Sequence, residues 1–454
     1  MITSQKWLSF AILVILALFA AGGGVRAAQA QASAGFIVVN SGLDESGAAG
    51  NCTLREAVIA ANENRAVGGC NAGVSTGMDW IRIAPSVTEI VLTLGGPGEN
   101  QGYGGDLDIL GSVMIEGRPG GTAIRVSDTL SDRVFHILAA GGSVMLRNLE
   151  INQGRPADVR LGGAIYLQNG ALKIENSKFN TDRLRISPGD APNSGGAIYS
   201  SAGTSLDIYF SVFKGNLAGS GGAILNRGYA QVRSSYFTGN QAFNPQGGGG
   251  AIYHNSPDQA FVLTNTTLYQ NVTDSGAGAE IFNEGPGLTL NNNTIIASGF
   301  SSAIYFANYN ASLRNTIVFQ QIAGGRTCEF FNPSEPPLVS GGYNLENATA
   351  SGCNFTAPGD QILPANTDVN SVVVLPPDMS HTVPAPVFTG NDYFWLAAGS
   401  PAIDAGSGCA SSDQRGIFWK RPSDPGAQCD IGSIEVEVLT ASLPNQIFLP
   451  GIRK

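Results

Sequence analysis

The side chains able to do chemistry are few and scattered. Asp106 and Asp108 alternate in Gly105-Asp106-Leu107-Asp108-Ile109, a spacing that puts both carboxylates on one face of a strand. Such a pair could ligate Ca²⁺, but a solvated pair near a corner is the expectation. His136, His254 and His381 lie far apart and are expected to be structural or merely exposed. Six cysteines fall into three neighbouring couples, Cys52 with Cys70, Cys328 with Cys353 and Cys409 with Cys429. None forms C-x-x-C and none has a nearby histidine, so disulfides are expected rather than zinc. G-x-S-x-G, P-loop and zincin patterns are absent. No residue is assigned a catalytic role, and no metal or cofactor is expected.

What must position any site is a repeat. Gly162-Gly163-Ala164-Ile165-Tyr166 returns as Gly195-Gly196-Ala197-Ile198-Tyr199, Gly221-Gly222-Ala223-Ile224-Leu225 and Gly249-Gly250-Ala251-Ile252-Tyr253. It then decays to Gly278-Ala279-Glu280-Ile281-Phe282 and Ser301-Ser302-Ala303-Ile304-Tyr305, at intervals of 23 to 33 residues. In phase with it runs an alternating strand, then Asn or Ser, then a hydrophobic residue, as in Leu172 to Asn176 with Phe179. A unit this small cannot bury its own apolar face and must stack on its neighbours. Strands with corners at a fixed phase make the chain coil, each strand pairing in parallel with the next turn about 4.8 Å away. A propeller blade would need roughly 40 residues and antiparallel strands. The expected fold is therefore all-β, a right-handed parallel β-helix over residues 78–325 with about ten coils.

In the repeated strand the Ile points inward and its neighbours outward. That gives a column of Tyr166, Tyr199, Leu225, Tyr253, Phe282 and Tyr305, read either as a ridge that stabilises adjacent coils or as a platform for sugar rings or a protein partner. On the alternating strand Glu175 falls between Arg147 and Tyr209, and Asp207 between Lys173 and Gln231. Each acid has a basic neighbour, the pattern of surface charge pairing rather than of a catalytic carboxylate couple.

An open end needs a cap. Thr53-Leu54-Arg55-Glu56 is a capping box, and Leu54, Ala57, Val58 and Ala61 make one apolar face, so a helix of about three turns is expected within a cap over residues 31–77. Ahead of it Lys6, the apolar stretch Trp7 to Ala21 and Ala28-Gln29-Ala30 have the grammar of a signal peptide cleaved after residue 30. Cleavage moves the formal charge from −10 to −12, an acidic balance that excludes nucleic acid as partner. No later segment is long and apolar enough to span a bilayer, and an extracellular or cell-surface location is expected. Gly makes up 60 of 454 residues, about twice the usual ~7%, and charged residues are 13% against a usual ~25%. That balance suits many short strands and tight corners.

Asn51-Cys52-Thr53-Leu54-Arg55-Glu56-Ala57 resembles the CSLREA motif of bacterial exported β-helix proteins, with Thr53 in place of Ser. Gly105 to Ile109 and Asp132-Arg133-Val134-Phe135 are similar to further stretches of that family. The Gly-Gly-Ala-Ile and Phe-x-Gly-Asn elements resemble repeats of chlamydial polymorphic outer-membrane proteins, which are surface adhesins. Ser400 to Gly406, Asp413-Gln414-Arg415-Gly416 and Asp430-Ile431-Gly432 resemble the choice-of-anchor module, expected over residues 326–440 and followed by a tail, 441–454. Leu443-Pro444-Asn445-Gln446-Ile447 is similar to a sortase signal but lacks its Thr-Gly. These resemblances imply a pectin-lyase-like solenoid acting as a secreted or surface scaffold for adhesion or glycan contact. The rival is a polysaccharide lyase or glycoside hydrolase, since many share the fold. Asn180-Thr181-Asp182 resembles the first motif of polygalacturonase-like hydrolases, but the companion Asp-Asp, Gly-His-Gly and Arg-Ile-Lys are missing.

Overall fold

The computed structural model describes residues 36–436 apart from 48–49, 97, 153, 155–160, 181–193, 245–246, 275–276, 308–309, 323–324, 333–337, 349–351, 376–392 and 423–426. The expected signal peptide and tail, His381, Thr181 and Asp182 lie outside the described residues.

The described chain is a right-handed parallel β-helix with three faces, running in chain order as face 1, face 2 and face 3 in each coil. Face 1 has eleven strands from Phe36–Val39 to Leu338–Ser340, and face 2 has eleven from Glu89–Leu92 to Gln361–Pro364. Face 3 has nine, from Leu107–Ile109 to Cys328–Phe330. The repeats stack in register, Ile165 on Ile198 on Ile224 on Ile252 on Ile281 on Ile304, all fully buried. Phe179, Phe213 and Phe237 stack inside with centroids 4.7 Å apart, which is the strand spacing itself.

Between faces 1 and 2 the chain turns through a left-handed residue: Asn148, Asn176, Phe210, Ser234, Asn265, Asn292 and Asn315 have φ between 47° and 56°. Asn tolerates that region best among non-glycine residues, which explains its recurrence. The next residue turns a hydroxyl or amide inward to accept the backbone N–H of the coil before, as Ser211 does from Ser177 and Asn293 from Thr266. Corner backbone groups are thereby satisfied without water. A second amide ladder runs Asn216, Asn240, Asn271, each Nδ2 donating to the next Oδ1 at 2.8 Å. It ends on Glu280, which accepts from both the backbone N–H and the Nδ2 of Asn271.

The helix, α1, spans Leu54–Glu63 with both arms of the capping box formed by Thr53 and Glu56. Fully buried Arg55 locks it down: Nε donates to Asp44 at 2.6 Å, while Nη1 and Nη2 donate to the carbonyls of Gly102 and Gly105. Asn62 donates to the Asp108 carbonyl and accepts from Leu110 N, so α1 pairs with the edge of the first face 3 strand. The Cys52–Cys70, Cys328–Cys353 and Cys409–Cys429 disulfides all form.

Two boundaries differ from those expected. Phe36–Val39, placed within the cap, is the first rung of face 1, paired in parallel with Trp80 to Ile83. The parallel faces also continue beyond 325, through Cys328–Phe330, Leu338–Ser340, Leu345–Ala348 and Gln361–Pro364. Cys328 occupies the inward place of the repeated Ile, opposite Ile304, which hides the rung from a search for the motif. The remaining segment lies along the body. Phe394, Leu396, Ala402 and Ile431 cover Val212, Tyr236, Tyr269, Ile296, Ile317 and Phe319 on the outside of face 2, forming a second core. Residues 407–414 run backwards over the corners: Ser407 pairs with Asn315, Ala410 with Asn292, Ser412 with Asn265 and Gln414 with Ser235.

Candidate functional site

The outward column of face 3 is longer than the aromatic run alone. Register places Asp108, His136, Tyr166, Tyr199, Leu225, Tyr253, Phe282, Tyr305 and Glu329 in one line. Its middle is not an open platform. Tyr199 and Phe282 are 8% exposed and Leu225 is 5% exposed, whereas Tyr166, Tyr253 and Tyr305 are half-buried. The covering comes from neighbouring chain as well as neighbouring rungs: the backbone at Gly248 lies directly against the Phe282 ring. Edge contacts between Tyr166 and Tyr199 and between Tyr253 and Phe282, and the stacking of Phe282 on Tyr305 at 4.3 Å, tie successive coils together. The Tyr253 hydroxyl donates to Glu284, and burial followed by that bond raises its pKa.

The head of the column is different. Three successive coils bring Asp106, then Asp132, Arg133 and His136, then Tyr166 and Gln168 around a cavity of about 260 Å³, whose rim adds Gly98, Glu99 and Asn100. His136 stacks flat on Tyr166 with centroids 4.9 Å apart and planes 6° from parallel. Its Nδ1 faces Asp108 Oδ1 at 3.1 Å and its Nε2 faces Gln168 Oε1 at 2.8 Å, so both ring nitrogens meet oxygen acceptors. Arg133 Nη1 donates to Asp106 Oδ2 at 2.8 Å and its guanidinium lies over the Tyr166 ring. Asp132 accepts from the backbone N–H groups of Asp106 and Arg133.

Burial, and next the charge of Asp132, push the Asp106 carboxyl up to about 7 against the pull of Arg133. Burial also raises Asp108, against its bond to His136. The expectation of a solvated pair is thus corrected: Asp106 is 5% exposed and Asp108 fully buried. Oxygen or nitrogen atoms of Asp106, Asp108 and His136 lie within 4.8 Å of one another, near enough for a metal. Arg133 and Gln168 already occupy two of those three groups, which makes the set a poor cage.

The remaining candidates stay separate. His254 is fully buried in the interior of the β-helix between Asn226 and Pro286. On face 1, Glu175 takes both cations, Lys173 at 2.5 Å and Arg147 at 3.7 Å, so Lys173 turns along its own strand rather than to Asp207. Sequence reasoning missed Asp132, Arg133 and Gln168, although a signal was present. Gly104-Gly105-Asp106-Leu107-Asp108 is an early copy of the repeat, and carrying its phase forward sets His136 beneath Tyr166.

Residues 135–322 match the family model of the right-handed β-helix region. No curated protein and no solved structure matches the chain.

Proposed function

We propose that this chain is a secreted or cell-surface scaffold that binds glycan at the head of the face 3 column, without catalysis. The right-handed β-helix region occurs in surface scaffolds and in carbohydrate-active enzymes, so the fold leaves both classes open. The observation that carries the reading is the paired ring wall of His136 and Tyr166 beside convergent carboxylate, guanidinium and amide groups. A sugar offers C–H groups and a rim of hydroxyls, and ring edges set among carboxylate, guanidinium and amide groups can meet both. The three disulfides suit an oxidising compartment. Among the described residues no helix is long and apolar enough to cross a membrane.

The test is a glycan array probed with the full chain and with Tyr166→Ala. Discrete glycan binding lost in the variant supports the reading, and identical profiles overturn it.

A second reading has one observation in its favour. Asp106, held near 7 beside Asp132, has the protonation a general acid requires at neutral pH. Polysaccharide turnover abolished by Asp106→Asn would make the chain a carbohydrate-active enzyme and replace the scaffold reading.

A further inference from the structure

The pocket at the head of the column carries more negative than positive charge. Glu99, Asp106 and Asp132 line it and Asp108 stands behind His136, against Arg133 and His136 alone. Arg133 is committed to Asp106 by a 2.8 Å bond. His136 is fixed between Asp108 and Gln168. The raised pKa of Asp106 reports the same imbalance, because burial beside Asp132 leaves its ionised form poorly compensated.

We infer that the pocket takes an amino sugar through its protonated amine, a hexosamine unit with a free ammonium group, in preference to acetylated or acidic sugars. The inference rests on the glycan reading above and narrows it. Three arguments support it.

Size comes first: about 260 Å³ lies just below the roughly 300–1,000 Å³ of small-molecule sites, room for one sugar ring rather than a long polymer segment. Charge comes second. A uronate would add a carboxylate to a space already holding three at its wall, whereas an ammonium relieves their repulsion. The third is hydrogen bonding. An ammonium brings three donors and needs acceptors, which these carboxylates supply with His136 and Arg133 left in place. A bare divalent ion would instead have to displace Arg133 from Asp106 and His136 from Asp108. The outer edges of the stacked His136 and Tyr166 rings would then border the same sugar unit.

Titration calorimetry of the full chain with four probes decides this: a glucosamine tetramer, its fully N-acetylated counterpart, a tetragalacturonate and calcium chloride alone. The glucosamine tetramer is expected to bind at least about tenfold tighter than either other sugar, a gap of ~1.4 kcal/mol. Asp106→Asn should cut that preference, and Glu99→Gln, on the rim and outside the buried ion pair, should cut it severalfold; because Glu99 accepts the backbone N–H groups of Gln101 and Gly104, a circular dichroism melt of each variant checks that the fold is retained. Acetylated tetramer bound as tightly as the free amine would overturn the amino-sugar inference and leave the glycan reading standing. Binding of none of the sugars would sink both. Calcium binding lost in Asp106→Asn would reassign the pocket to a metal and overturn the inference as well.

Discussion

Asp106 and Glu280 stand at the same place in the repeat, immediately before the inward apolar residue, where Ala164, Ala197, Ala223, Ala251 and Ala303 stand in other coils. Both are buried carboxyls pushed upward, Asp106 to about 7 and Glu280 to about 8, and burial is the first cause in each. Their surroundings divide them. Glu280 is sealed in the wall, with Asn271 as its bonding partner, and terminates an amide ladder. Asp106 faces a cavity, an arginine and a second aspartate. One slot thus serves as an end-stop for hydrogen bonds in the body and as part of a recessed polar pocket near the N-terminal cap. A buried carboxyl in this fold acquires a role from what its loops leave open, rather than from its position in the repeat.

Breaking the pocket's ion pair should have the largest effect. At pH 9, where Asp106 is ionised beside its partner, Arg133→Met strands that charge or forces its protonation, and the loss is expected to be about 3 kcal/mol. Adding Asp106→Asn should return more than half, read from urea denaturation of the single and double variants. A double variant no more stable than Arg133→Met would show that the arginine acts through packing alone.

The pH dependence of Glu280 comes next. Its folded pKa lies above its ordinary 4.5, so its contribution is complete below about that value and is lost as pH climbs through about 8. Between pH 6 and pH 8 the wild type should lose about 2–3 kcal/mol through this group, at ~1.4 kcal/mol per pH unit. Glu280→Gln, the nearest mimic of the protonated acid, should flatten that part of the profile. An unchanged slope in the variant would mean that the carboxyl does not stay protonated in the fold.

Tyr253→Phe should show the smallest change. Losing the hydroxyl that meets Glu284 and Asn255 is expected to cost about 0.5–1.5 kcal/mol and to leave glycan affinity untouched. A drop in affinity would extend the binding surface from the head of the column into its middle.

Much of this architecture was legible because its causes are local. Gly and Asn at a fixed phase announce corners, the capping box announces α1, and cysteines some twenty residues apart pair with their neighbours. Alternation gave the correct outward column, yet not its exposure, since a ring such as Phe282 is covered by the loop at Gly248, between faces 2 and 3, which the period does not describe. The pocket was hidden for a related reason. Asp106 in place of Ala, and Asp132-Arg133-Val134 in place of Gly-Gly-Ala, break the motif in two of the three coils that form it. The docking of residues 407–414 joins positions 92 to 179 apart in sequence, and no periodicity encodes such a contact.

That docking has a consequence for how the chain can change over generations. Solenoids lengthen and shorten readily, because a duplicated turn finds the same neighbours above and below. Here Ser407, Ala410, Ser412 and Gln414 each meet a different coil, at Asn315, Asn292, Asn265 and Ser235. The returning segment therefore works as a tally stick notched to the turns it crosses. Inserting one turn between Ser235 and Asn315 would shift every notch beyond it by a strand spacing, about 4.8 Å, and leave corner amides without their carbonyls. Val212 and Phe210, one coil ahead of Ser235, still meet this segment, but among the described residues no contact of it reaches the turns before Phe210, so natural variation in length should gather toward the pocket end while the tallied stretch keeps its count.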